Sequence, residues 1–277
     1  MKKMLSLALV LVLMMSLAAC GAKTETPAAT TAPAAAAETT AAAAETQAAA
    51  AEVSTIEAGK LIMSTNASFP PYEMIADDGS FEGIDIEVAD AIAKKLGLEL
   101  EVDDMDFDAA LLAVQQNKSD IVMAGVTVTD DRKLVMNFTD SYATGVQVVI
   151  VKEGSDVTLD NLGEKMIGTQ RGTTGYIFTS DDYGDDHVTA YDNGASAVQA
   201  LMNGQVDCVV IDAAPAEAYV EANPGLTILD TEYVVENYAI GVNKDNTALL
   251  DAINGALAEL TADGTIDTII GKYITAE

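Results

Sequence analysis

The hydrophobic pattern of the chain changes twice along its length. Residues 4–19, MLSLALVLVLMMSLAA, form one apolar run behind Lys2 and Lys3. Residues 23–52 are almost wholly Ala, Thr, Glu and Pro, with no aromatic residue and no Val, Ile or Leu. From Lys60 onward, short apolar runs alternate with segments whose apolar residues recur every three or four positions. The first kind is the pattern of buried strands and the second that of amphipathic helices. Strands are predicted for KLIMSTN, LELEVDD, SDIVMAG, GVQVVIVK, EKMIGTQ, HVTAYD and QVDCVVID. Helices are predicted for DIEVADAIAKKLG, FDAALLAVQQNK, NGASAVQALMNG and AAPAEAYVEAN, with another opened by GTTGYIFTSD. Gly97 suits a helix C-cap, and Pro224-Gly225 close the fourth of these segments. After a strand-rich crossing at EYVVENYAIGVNK, the tail reads as two helices broken near Asp263-Gly264. Alternating strands and helices predict an α/β fold with mostly parallel sheets, whose ligand sites lie at the carboxyl ends of the strands.

The first two segments are not fold. Two lysines, a short apolar stretch and small residues before a cysteine are the order of a bacterial export signal. Leu17, two alanines, Cys20 and Gly21 resemble a lipobox. That resemblance implies a signal peptide over 1–19 and a diacylglyceryl group on Cys20, a firm membrane anchor. Residues 20–52 then form a disordered tether, since nothing in them buries enough surface to offset ordering.

Composition narrows the chemistry. With 44 acidic against 14 basic residues the net charge is −30, which excludes phosphate-backbone binding and hence a nucleic-acid partner. With Cys20 assigned to the lipid, Cys208 is alone in an apolar strand and reads as a buried structural thiol. The single histidine, His187, sits in an acidic loop. One histidine and no cysteine cluster supply neither a zinc site nor a Ser-His or Cys-His pair, and no metal or cofactor is expected.

Two arginines stand out against that background, Arg132 and Arg171. Arg132 ends AGVTVTDDR, just past a strand; a guanidinium there suits bidentate binding of a carboxylate, and a surface pair with Asp130 or Asp131 is the alternative. In RGTTG, Gly172 lets the backbone approach, and Thr173 and Thr174 open a helix whose free N–H groups favour an anion or a simple cap. Arg171 reads as solvent-facing or as a contact between halves of the fold. Asp212 ends a strand, where it suits a helix cap or a ligand ammonium.

Taken in order, SFPPYE, GIDIEVADAIAKKLG, MDFDAALLAVQQNKSDIVMAGVTVTDDRK, NFTDSY, IGTQRGTTG, NGQVDCVVIDAAPA and ELTADGTIDTIIGKY resemble the family 3 extracellular solute-binding proteins that feed polar amino acids to ABC importers. The resemblance runs from about residue 55 to 275. It implies a two-lobed, type II periplasmic-binding-protein-like fold, each lobe a mostly parallel sheet flanked by helices. Lobe 1 would span 53–143 plus 237–277 and lobe 2 would span 145–236, with the crossings near Tyr142–Gly145 and Val235–Tyr238 as hinge.

The resemblance also implies roles. Arg132 would hold the ligand carboxylate with help from Thr127, and Thr173 and Thr174 would complete that contact. Asp212 would meet the ammonium along with backbone carbonyls at Ala124 and Gly125, and Phe69 and Phe107 would stack on the aliphatic part, Phe107 being equally suited to core packing. Several relatives that take Lys, Arg or Gln carry Asp at the position of Asn66; Asn66, with Gln170 nearby, points to a polar uncharged amino acid. Glu73 and Asp85 are neighbouring acids whose orientation the sequence leaves open. The function implied is that of a monomeric, lipid-anchored extracytoplasmic protein that hands an amino acid to an ABC permease. An enzyme of the cyclohexadienyl-dehydratase kind and an amino-acid-sensing or adhesin lipoprotein are the alternatives.

Overall fold

The computed structural model describes residues 53–274 apart from Thr231. The expected signal peptide, Cys20 and tether lie outside the described residues. The first strand, β1 (Lys60–Thr65), is buried from Leu61 on because strands pair with it on both sides. A small antiparallel hairpin sheet follows: β2 (Ser68–Phe69), β3 (Glu73–Ile75) and β4 (Phe81–Glu82). Helix α1 (Ile84–Leu96) buries Ile84, Val88, Ala89, Ile92 and Ala93 on one face. Its acidic first turn and basic last turn complement the helix dipole, and Gly97, at φ 72°, caps it in the left-handed conformation.

The chain continues through β5 (Glu99–Asp104), α2 (Phe107–Gln115), β6 (Ile121–Val122), the short α3 (Asp130–Val135) and β7 (Met136–Phe138). Next come the long β8 (Ala143–Lys152), β9 (Ile167–Gln170), α4 (Thr174–Tyr183), β10 (Val188–Tyr191) and α5 (Gly194–Met202). β11 (Cys208–Asp212), α6 (Ala213–Ala222), β12 (Leu226–Ile228) and β13 (Val234–Tyr238) complete that half. β14 (Gly241–Asn243), α7 (Thr247–Ala262) and α8 (Thr265–Tyr273) end the described chain, with the helix break at Asp263-Gly264 where turn residues predict it.

Two sheets result. One has the order β5-β1-β6-β14-β7 and the other contains β10-β9-β11-β8-β12, with β13 also on β8. In the first sheet only β14 runs against the rest, and in the second only β8 does. Each reversed strand lies beside a segment through which the chain crosses between sheets. The crossings themselves pair: Ala143 opposes Tyr238 and Gly145 opposes Glu236. Short 3₁₀ turns at Leu159–Glu164 and Asp185–His187 replace the strand starts that periodicity predicts there.

Leu61, Met63, Ile121, Ile240 and Val242 from the first sheet pack with α1, α7 and α8 in one core. Val148, Ile150, Val209 and Ile211 pack with α5 and α6 in another. Asp120 ties the first strand down. Its carboxylate accepts the backbone N–H of Ile56 and of Ile62, both at 2.8 Å, and it is buried. Removing it orphans the buried Ile62 N–H, which costs about 1–3 kcal/mol. Asp120→Ala is therefore expected to lower the melting temperature by roughly 2–12 °C for a domain of this size, read by calorimetry.

Candidate functional site

The carboxyl ends of β1, β5, β6, β9 and β11 point to one pocket between the two sheets, where the ligand sites of α/β folds lie. The loops after these strands supply Asn66, Phe69, Phe107, Ala124, Gly125, Thr127 and Arg132 from one side, and Gln170, Thr173, Thr174 and Asp212 from the other. Each residue singled out from the sequence as a ligand contact lines it.

Arg132 is buried, and its place follows from a cap. Thr129 accepts the Arg132 backbone N–H at 3.2 Å and starts α3, which aims the guanidinium inward. Its Nη1 donates to the Thr127 carbonyl at 2.8 Å and its Nη2 to the Gly172 carbonyl at 3.1 Å, across the cleft. The Phe107 ring lies beneath it, 5.4 Å from centroid to Cζ, in cation–π range. Asp130 instead pairs with Lys133 in solvent. Burial pushes the Arg132 guanidinium down to about 10, still protonated at neutral pH, against the opposing pull of Glu236. Among the described residues no carboxylate is in salt-bridge contact with it, and it holds a full positive charge.

Opposite Arg132, the cap reading holds for both helix starts. Thr173 caps α4 by accepting the Tyr176 N–H, and Thr174 lies within 3.4 Å of the Thr127 hydroxyl. Asp212 caps α6 with one oxygen, while the Tyr238 hydroxyl donates to the other. Arg171 is half-exposed and pairs with Asp192.

Close approach fixes two glycines. A Cβ on Gly125, at φ 54°, would lie 2.9 Å from the Phe69 ring. One on Gly145 would lie 2.3 Å from the Asp212 carboxylate and 2.4 Å from the Tyr238 hydroxyl. Asn66 lines the pocket with its amide already engaged: Nδ2 donates to Met105 O at 2.8 Å, and Oδ1 accepts from Gln170 Nε2 at 2.9 Å.

Sequence reasoning missed Gln147, Glu236 and Tyr238, which come from the paired crossings. Glu236 is buried; its Oε2 accepts from Thr127 Oγ1 and from Gln147 Nε2, both at 3.0 Å. The signal was present: Glu236 and Tyr238 alternate inward on a strand whose apolar pattern an acid interrupts. The wall also carries buried acceptor oxygens with no partner, on Gln147, Gln170, Glu236 and Glu73.

A small polar cleft between two α/β halves, a buried cation on one wall and buried acids on the others define a solute-binding site. The chain belongs to the bacterial extracellular solute-binding proteins, family 3, whose model matches residues 61–276. It has the type II periplasmic-binding-protein fold. It is 34% identical over 222 residues to a probable histidine-binding protein of Neisseria gonorrhoeae, covering 78% of this chain and 83% of that one. It is 32% identical to the ABC transporter arginine-binding protein 1 of Escherichia coli, covering 78% and 91%. Among solved structures, an ancestral arginine-binding protein bound to arginine is similar at 42% identity and a TM-score of 0.74, covering 78% and 98%.

Burial pushes Asp212 up to about 7. Its folded value exceeds the ordinary carboxylate value, so the folded state takes up a proton that the unfolded state releases between the two. The corresponding stability is full below about pH 4 and is lost as pH rises through about 7. The ligand-free protein is expected to lose denaturant resistance between pH 5 and 7.5, and Asp212→Asn to flatten that slope. An unchanged slope in the variant would place the titration elsewhere.

Proposed function

We propose that the pocket binds a free α-amino acid, and that the protein delivers it to an ABC importer from a lipid anchor on Cys20. The observation that carries this reading is the buried, unneutralised Arg132. Burying a charge without its counter-ion is costly, and a carboxylate placed beside Thr173 and Thr174 would remove that cost. A planar guanidinium binds it through two parallel hydrogen bonds. The ammonium then falls to Asp212 at the other end of the pocket, a charge-assisted bond that ionises the Asp212 carboxyl.

The side chain follows from what the wall lacks. Its orphaned groups on Gln147, Gln170 and Glu236 are acceptors, so the ligand must bring N–H donors. That admits the amide expected from Asn66 and favours a guanidinium or imidazole more strongly, since Glu236 adds an acid. It disfavours aspartate and glutamate. The two crossings would act as hinge between lobe 1 (53–143 and 237–277) and lobe 2 (145–236), because a ligand held by Arg132 and Asp212 touches both. The site reads as a binding site and not a catalytic one, in line with the binding proteins it resembles.

Amino acids added to the protein should raise its melting temperature through preferential binding to the folded state. Arginine, histidine and glutamine are expected to give shifts, and aspartate and glutamate none. Arg132→Ala should weaken binding by about a hundredfold, the loss of a buried charged contact worth about 3 kcal/mol. Should no amino acid shift a well-folded sample, or the variant bind unchanged, this reading fails. Turnover of a cyclic carboxylate such as prephenate would establish the enzyme alternative.

A further inference from the structure

Behind the ligand contacts lies a second pair of acids that the binding scheme leaves unused. Glu73 starts β3, is 0% exposed and lines the pocket. Asp85, in the first turn of α1, is also 0% exposed. The Asp85 backbone N–H donates to the carbonyl of Tyr72, the residue before Glu73, at 2.8 Å, which sets the two acids side by side. Asp85 is anchored: Oδ2 accepts the Gly125 N–H at 2.9 Å and Oδ1 accepts the Tyr142 hydroxyl at 2.7 Å. Gly125 forms part of the pocket wall, and Tyr142 precedes the first crossing between sheets. Glu73 has no such anchors, and with both acids ionised its two oxygens are left without any donor.

A buried carboxylate with no donor beside a second carboxylate is unstable as two anions, and one proton placed between them repairs both faults. Glu73 then donates to Asp85. The surroundings do nothing to prevent this. Asp104 is the other charge acting on Glu73, and it is negative; the phenols of Tyr72, Tyr142 and Tyr219 complete the ring of titratable groups. Neither acid takes part in an ion pair with Lys or Arg. Burial holds Glu73 well above the carboxylate range and lifts Asp85 to about 6.

We propose that Glu73 and Asp85 share a single proton in the pocket wall, keeping it when the ligand side chain is neutral and releasing it to solvent when that side chain is positively charged. The step is a single bond change: the Glu73 O–H breaks, the electron pair stays on the carboxylate facing the cation, and the proton leaves to bulk water. The pair thereby sets specificity by ligand charge, letting one cavity accept an amide or a cation. The inference rests on the amino-acid reading above.

The test is titration calorimetry with arginine and with citrulline, its neutral counterpart of nearly the same shape, in buffers of different ionisation enthalpy. Any proton that Asp212 releases to solvent on pairing with the ligand ammonium is common to both ligands and cancels in the difference. Arginine is expected to release about one proton more than citrulline, and Glu73→Gln, an isosteric change, to abolish that difference. Arginine affinity should fall relative to citrulline by about tenfold per pH unit as acid holds the proton on the pair. Equal proton counts for the two ligands, or a difference that persists in Glu73→Gln, overturns the proposal while leaving amino-acid binding intact. Should Glu73→Gln fail to fold, Asp85→Asn removes the neighbouring charge and is expected to lower the arginine count in the same way; an unchanged count there overturns it equally. No binding by any amino acid overturns the amino-acid reading, and this proposal with it.

Discussion

A guanidinium buried without a carboxylate is the constraint around which this molecule is arranged. Arg132 is held by two backbone carbonyls, one from its own loop and one from Gly172 across the cleft, and by the face of Phe107. Carbonyl dipoles and an aromatic face hold a cation in place but leave its charge unneutralised. On the proposed reading, a ligand carboxylate supplies the missing counter-charge. Thr129 enforces this locally, because the cap that begins α3 points the Arg132 side chain into the pocket while Asp130 and Lys133 face water.

The fold supplies the complementary half. Parallel strands emit their loops at one end, so five loops from two sheets converge on one cavity without any long excursion of the chain. The reversed strand in each sheet has a different task. It lies beside a crossing, and β8 and β13 pair across the two crossings to make a two-stranded link. That link is itself lined with site residues: Gln147 and Glu236 face the pocket, and Gly145 is bare of side chain because Asp212 and Tyr238 occupy its space. Any rotation of one sheet against the other thus moves wall groups along with the strands that carry them.

Much of this was legible in the sequence, and the legible part has a common physical basis. α1 and the break between α7 and α8 show because period, caps and turn residues agree locally. The loop residues of the pocket were found because each follows an apolar strand and because the family resemblance orders them. Glu73 and Asp85 were noticed as acids, but their orientation is fixed only by packing of β3 against β4 and of α1 against Tyr142, which no local pattern encodes. Gln147, Glu236 and Tyr238 were missed because the crossings read as ordinary strand, whose inward-facing polar groups no local pattern assigns to a site. Asn66 lines the pocket as its identity suggests, and its amide has protein partners as well.

Charge separation within the pocket gives the ligand a direction. The chain carries 44 acidic residues and two arginines, yet one of those arginines is buried at one wall and the acids Asp212 and Glu236 line the others. In a low-dielectric cleft such an arrangement acts as a fixed dipole. A zwitterion with its carboxylate toward Arg132 is stabilised at both ends, and the reversed one is repelled at both. The surplus of unpartnered acceptors then extends the same logic to the side chain, since it rejects a second ligand carboxylate more strongly than a neutral group. Orientation and selectivity therefore come from one uneven distribution of charge, and the single buried cation makes it uneven.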